Sequence, residues 1–150
     1  MPAHSTMLSP PQLIEAAKAP LLAYNQKDWN AVRASITSNF TYDEVGTGRK
    51  VQGANQTITL WRGWAEALPD SKASIDNVVA SGNTVVLELT WRGTHTGPLP
   101  TPKGSLAGTG KQIELRGCVV VELADGKARL QRHYFDMATL LQQVGEGGAG

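Results

Sequence analysis

Three side chains in the second half of the chain have the types that proton chemistry requires: Asp136, Arg132 and His95. Asp136 ends a strand-like run just where a helical pattern (Met137, Leu140, Leu141, Val144) takes over. As the residue before a helix it is an ideal N-cap, worth ~1 kcal/mol and needing no further role. On the floor of an apolar pocket, desolvation would instead raise its pKa into the range of a general acid or base. Arg132, two alternations away on the same strand face, is either a structural partner for Asp136 or a donor to an anion or oxyanion. Direct pairing would lower the Asp136 pKa and weaken the acid role. His95 lies in Gly93-Thr94-His95-Thr96-Gly97. It reads either as a strand-end turn residue or as a second acid/base group at a pocket rim.

Whether these groups meet depends on strand register. Asp125-Gly126 is a two-residue hairpin signal. If it pairs Leu123 with Ala128, Leu115 falls opposite Asp136, Gly117 opposite Tyr134, Val119 opposite Arg132 and Val121 opposite Leu130. The inner face would then carry Arg132, Tyr134 and Asp136 among apolar neighbours, and buried polar exceptions are the informative ones. His133 and Phe135 would face the other way, His133 toward the surface or a subunit interface. The run 85–95 splits similarly, with Trp91 and His95 inward. One bulge would exchange the two faces. Trp91, Tyr134, Trp61, Trp64, Tyr42 and Tyr24, with Leu115, are core residues by default. So many large aromatics could also line a cavity for a flat hydrophobic ligand.

The elements that must position them follow from periodicity and punctuation. Ser9 caps a helix with Pro10-Pro11 in its first turn and a stripe of Leu13, Ala16, Ala17, Leu21 and Tyr24. Pro20 should kink or split it. Asp28 caps a short second helix to Ile36, with Trp29 and Val32 inward. Phe40, Tyr42 and Glu44 alternate as a short strand that Gly46 and Gly48 end. A third helix spans 54–68, stopped by Pro69-Asp70. Strands follow at 73–79, 85–95, 112–123 and 128–136. The Gly/Pro-rich stretch 96–110 is expected to lack regular structure and to form a rim or lid. Helices first and strands after indicate an α+β fold with helices covering one face of a curved sheet.

Composition narrows the classes. With 150 residues, 41% hydrophobic and 18% charged, the chain reads as one globular domain over 10–145, between flexible tails at 1–9 and 146–150. A net charge of +1 with scattered basic residues argues against nucleic acid or an anionic membrane surface as partner. No stretch is long and apolar enough for a membrane span. The single Cys118 excludes an internal disulfide, and residues 1–12 lack signal-peptide features, so a cytoplasmic location is expected. No phosphate-binding loop, metal-spaced His pair or nucleophile elbow occurs, leaving chemistry without cofactor or metal, or simple binding.

Several blocks carry a resemblance. Thr47–Gly53, Trp91-Arg-Gly-Thr-His-Thr-Gly97, Thr109-Gly110-Lys111, Asp125-Gly126-Lys127 and Tyr134-Phe135-Asp136 followed by Leu140-Leu-Gln-Gln-Val-Gly145 resemble the SnoaL-like polyketide cyclase, or ester cyclase, family of the nuclear-transport-factor-2-like (NTF2-like) superfamily. The resemblance implies a cone-shaped α+β barrel, its curved antiparallel sheet wrapped by three helices around an apolar cavity, with a short C-terminal helix. It also implies a homodimer through the sheet and cofactor-independent ring closure by intramolecular aldol condensation. The family's acid/base Asp near the end of the last strand corresponds to Asp136. Its polar partner on the preceding strand, often His, would fall on Val119 or Val121.

The reading is a cofactor-independent enzyme of cyclase, isomerase or hydrolase type. It would act on a hydrophobic small molecule, with Asp136 as acid/base and Arg132 or His95 assisting. One alternative is an epoxide hydrolase of the limonene-epoxide-hydrolase type, in which a carboxylate activates water and Arg132 with Tyr134 form part of the polar set. Another is a non-catalytic hydrophobic-ligand-binding or dimerisation module in which Asp136 is only a cap.

Overall fold

The computed structural model describes residues 8–145; residues 1–7 and 146–150, included above in the two tails, lie outside them. Helix α1 (Pro10–Asn25) opens with a reciprocal capping box between Ser9 and Gln12. It runs through Pro20 as one helix rather than two, with the proline ring buried. Asp28 caps α2 (Trp29–Ser35) by accepting from the Ala31 amide. Strand β1 (Ile36–Glu44) follows directly, and β2 (Arg49–Gln52), not expected from the sequence, folds back against it. Helix α3 (Ala54–Ala67) then crosses the sheet.

The remaining chain is β3 (Lys72–Ser81), β4 (Thr84–Thr94), β5 (Leu99–Thr101), β6 (Gly104–Leu106), β7 (Gln112–Ala124) and β8 (Lys127–Phe135), closed by α4 (Met137–Gln143). The Gly/Pro-rich stretch is thus not wholly irregular. It holds the small β5–β6 ribbon, anchored by buried Leu99. Gly97 lets it pack close: a Cβ there would lie 1.9 Å from the Glu66 carbonyl oxygen at the end of α3.

The main sheet has the order β2-β1-β8-β7-β4-β3. The sequence suggested a wholly antiparallel sheet, but β1 runs parallel to β8, so the sheet is mixed. It curves into an open, cone-like α+β fold.

The last hairpin decides which side chains enter the cone. Asp125 and Gly126 both take positive φ (54° and 76°), a primed two-residue turn, and Leu123 pairs with Ala128 as expected. The next pair, however, is Glu122 with Leu130: Arg129 is an extra residue in a bulge. Beyond it the register has slipped by one, so Val121 faces Gln131, Val119 faces His133 and Gly117 faces Phe135. Because side chains alternate with period two, this slip turns every later side chain of β8 to the opposite face. Gln131, His133 and Phe135 point inward; Arg132, Tyr134 and Asp136 do not.

Candidate active site

Between two apolar clusters the cone is not filled. One cluster holds Leu21, Tyr24, Tyr42, Trp61, Leu89 and Val119; the other holds Leu68, Leu99, Ile113, Leu115 and Leu140. The space between them is an apolar cavity of about 70 Å³. Of the aromatics singled out from sequence, Tyr24, Tyr42, Trp61, Trp64 and Trp91 line it, as does Leu115. Tyr24 organises this wall, meeting Trp29, Trp61 and Trp91 edge to face. Tyr134 does not reach the cavity; it sits on the outer sheet face, 41% exposed.

The three polar residues expected at the site lie elsewhere. Asp136 is exposed, and its carboxylate accepts from the Ala138 amide (3.1 Å) and the Thr139 hydroxyl (2.7 Å), as a cap of α4. Arg132 pairs with Glu122 at 3.3 Å on the outer face rather than with Asp136. The Arg129 bulge is the physical reason for both displacements. His95 is fully buried, but not in the cavity wall. Its Nδ1 lies 3.0 Å from the Thr109 hydroxyl and accepts from the Thr109 amide (3.3 Å), tying β4 to the far end of the 96–110 segment.

His133, expected at the surface or a subunit interface, is instead the histidine of the cavity wall. It is 8% exposed, lines the cavity, and makes two hydrogen bonds within it. Trp91 Nε1 donates to His133 Nε2 (3.2 Å), and Tyr42 Oη lies 2.8 Å from His133 Nδ1. An indole N–H can only donate, so Nε2 must be the unprotonated nitrogen and the neutral ring carries its proton on Nδ1. Nδ1–H then donates to Tyr42 Oη, and the Tyr42 hydroxyl donates onward to Glu44 Oε2 (3.0 Å). Burial holds the His133 pKa down at about 4, although the Glu44 charge pulls it the other way. The ring is neutral at pH 7.

Glu44 ends this chain. It is completely buried, yet five donor contacts surround its carboxylate. Oε1 accepts from Thr47 Oγ1 (2.5 Å) and from Arg49 Nη2 (2.7 Å) and Nε (2.9 Å). Oε2 accepts from Tyr42 and from Trp64 Nε1 (2.8 Å). A charge removed from water survives only with such compensation. The Tyr42 phenol is pushed well above its ordinary pKa by burial and then by the adjacent Glu44 charge. Tyr24, on the opposite wall, rises to about 12 by burial, moderated by its 2.6 Å bond with Ser71.

Sequence reasoning missed His133, Glu44 and Gln131. For Glu44 a signal existed: Phe40, Tyr42 and Glu44 share one alternation, so a charged group had to follow two aromatics onto the buried face. For His133 and Gln131 the signal was hidden by the bulge. Among the described residues, no group of three or more His, Cys, Asp or Glu is arranged to hold a metal ion.

The open mixed sheet wrapped by helices around an apolar cavity is the NTF2-like architecture. Residues 15–144 match the family described as SnoaL-like polyketide cyclase, and the chain belongs to that family. It is 27% identical over 132 residues to the epoxide hydrolase EphG of Mycobacterium tuberculosis, covering 88% of this chain and 78% of the relative. Among solved structures it resembles TsrD from Streptomyces laurentii (TM-score 0.79, 18% identity, 93% of this chain and 99% of that one). It also resembles an LEH-like epoxide hydrolase from M. tuberculosis (TM-score 0.69, 25% identity, 89% and 90%).

Proposed function

We propose that the protein is a small-molecule enzyme that moves a proton on an apolar, carbonyl-bearing ligand held in the cone, a reaction of cyclase or isomerase type. The observation that carries this is the directional hydrogen-bond chain from the cavity to a buried carboxylate: His133, Tyr42, Glu44. His133 Nε2 would take a proton from the carbon beside the ligand's carbonyl. The ring's Nδ1 proton passes to Tyr42, and the Tyr42 hydroxyl proton passes to Glu44. The proton comes to rest on a carboxylate that was charged, so neither the imidazole nor the phenol need hold a charge at the end. The Trp91 N–H, released from Nε2 as the ligand enters, is then a donor for the developing enolate oxygen. No step requires a cofactor.

Kinship with EphG favours a second reading, epoxide hydrolysis, with His133 taking the proton of a water molecule. Among the described residues the cavity lining includes no carboxylate side chain, and Arg132 and Tyr134 lie outside it, which is why carbon acids come first. A dimer through the outer sheet face, where Val79 and Tyr134 are exposed, belongs to the same proposal. Light scattering that finds a monomer at high concentration removes it.

The test is deuterium exchange next to the carbonyl of apolar cyclic ketones, followed by NMR, beside turnover of an epoxide panel. Wild type and Asp136→Asn should both exchange ketone protons, and His133→Gln should not. Equal exchange by His133→Gln, or loss in Asp136→Asn, would reject the assignment. Epoxide opening without ketone exchange would select the second reading.

A further inference from the structure

The polar side chains of the cavity wall mostly consume one another. Tyr24 bonds Ser71, Trp91 and Tyr42 bond His133, and Trp64 bonds Glu44. Gln131 is different. It lines the cavity, is only 4% exposed, and its side-chain amide has no hydrogen-bond partner among the described residues. Nor are its polar atoms sealed into the protein: the one sealed, unpartnered side-chain atom among the described residues is His95 Nε2. The amide therefore offers two donors and an acceptor to the cavity space.

Its position gives the offer a geometry. Gln131 sits between Tyr42 on β1 and Val121 on β7. It is two residues before His133 on β8, so both side chains leave the same face of one strand. Strand repeat places such neighbours roughly 6–7 Å apart. Deep in the cone, toward Val121 and Ala128, the surroundings are otherwise apolar.

We propose that Gln131 is a second anchor for the ligand, hydrogen-bonding an oxygen that the reaction does not consume while the acidic carbon lies at His133. This rests on the proton-transfer reading and narrows its substrate class. The ligand is an apolar ketone carrying a second hydroxyl or carbonyl oxygen roughly 6–7 Å from the reacting centre. An apolar compound without that oxygen leaves the buried amide unpaired, and the site discriminates against it.

The probes are 6-hydroxytetralone, whose phenol oxygen stands at about the strand-repeat distance from the CH2 carbon beside the ketone, and tetralone, which lacks it. Binding is read from the fluorescence of the cavity tryptophans, with exchange by NMR in parallel. Wild type should bind the hydroxylated ketone about tenfold more tightly. Gln131→Met, unbranched and of similar length, should abolish that preference while leaving tetralone binding within about twofold. Gln131→Leu, checked for an unchanged melting profile, provides the second variant. Wild type that binds both probes alike, or neither, overturns the anchor, as does a preference that survives both substitutions. If His133→Gln loses exchange while the Gln131 variants change nothing, the anchor falls and the proton-transfer reading stands. If the Gln131 variants lose the preference while His133→Gln still exchanges, that reading falls and the anchor stands.

Discussion

Trp91 donates its indole N–H to Nε2 of His133 across 3.2 Å, and this one contact fixes which nitrogen of a buried histidine carries the proton. Nitrogen-15 NMR of labelled protein should therefore report an unprotonated Nε2 and a protonated Nδ1 at neutral pH. Trp91→Phe keeps the aromatic wall but removes the donor. A mixture of tautomers and a faster loss of the Tyr42 contact are the expected result. A wild-type ring protonated on Nε2 would contradict the direction of the relay.

The same ring makes stability depend on pH with a definite sign. His133 is held near 4 when folded and returns to about 6.5 when unfolded. Between those values the unfolded chain binds the extra proton, so stability rises with pH across this window and is flat, for this group, above it. The fall from pH 7 to below 4 is on the order of 3 kcal/mol from His133 alone. Urea titrations at a series of pH values should show it in wild type and not in His133→Gln. The acid limb of exchange activity should likewise lie near pH 4 rather than 6.5.

Glu44 is buried with its partners, and removing the charge leaves those partners behind. Glu44→Gln turns an amide toward donors that all need an acceptor and leaves Arg49 without its counter-ion. A loss of about 2–4 kcal/mol is expected. Arg49→Met should cost a comparable amount, because it takes two of the five donors and the counter-ion from a fully buried carboxylate. With Glu44 neutral, the Tyr42 phenol should also ionise more readily, visible by its ultraviolet titration. A larger loss from Arg49→Met than from Glu44→Gln would mean that the ion pair, not the carboxylate's other donors, holds this corner together.

Much of the fold was legible because local signals agreed: Ser9, Asp28 and Asp136 cap helices, and Asp125-Gly126 turns the last hairpin. The aromatic wall was legible too, since Trp61, Trp64 and Trp91 fall on faces set by helix or strand period. The site's polar half was not. Arg129 looks like any surface residue in the sequence, and nothing in its type announces a bulge; yet it inverts the six residues that follow. The parallel pairing of β1 with β8 was invisible for a related reason: it joins strands far apart in the chain, where no turn signals the partnership.

Asp136 can be separated from catalysis by its own substitutions. Asp136→Ala should lower stability by about 1 kcal/mol, the usual worth of a side-chain cap, with ketone exchange per folded molecule unchanged. Asp136→Asn retains a cap and should be nearly neutral. A large kinetic defect in Asp136→Asn would mean that its carboxylate reaches the ligand in a way its exposed, α4-capping position does not provide.

The bulge itself can be tested by deleting it. Removing Arg129 takes out the extra residue, so Leu130 follows Ala128 directly opposite Glu122, with Gln131 still facing Val121 and His133 still facing Val119. The deletion therefore keeps Gln131, His133 and Phe135 inward with the His133–Tyr42–Glu44 chain in place, and loses the local bend of the bulge and the Arg129–Glu122 ion pair. It should cost about 1–2 kcal/mol, mostly from straightening the strand. Arg129→Gly keeps the extra residue and loses only the exposed ion pair with Glu122, so it should cost about 1 kcal/mol or less. Urea unfolding of the two variants, with ketone exchange followed by NMR, checks this. A deletion variant that folds but loses ketone exchange would show that the local geometry of the bulge, and not the register beyond it, aims His133 into the cavity.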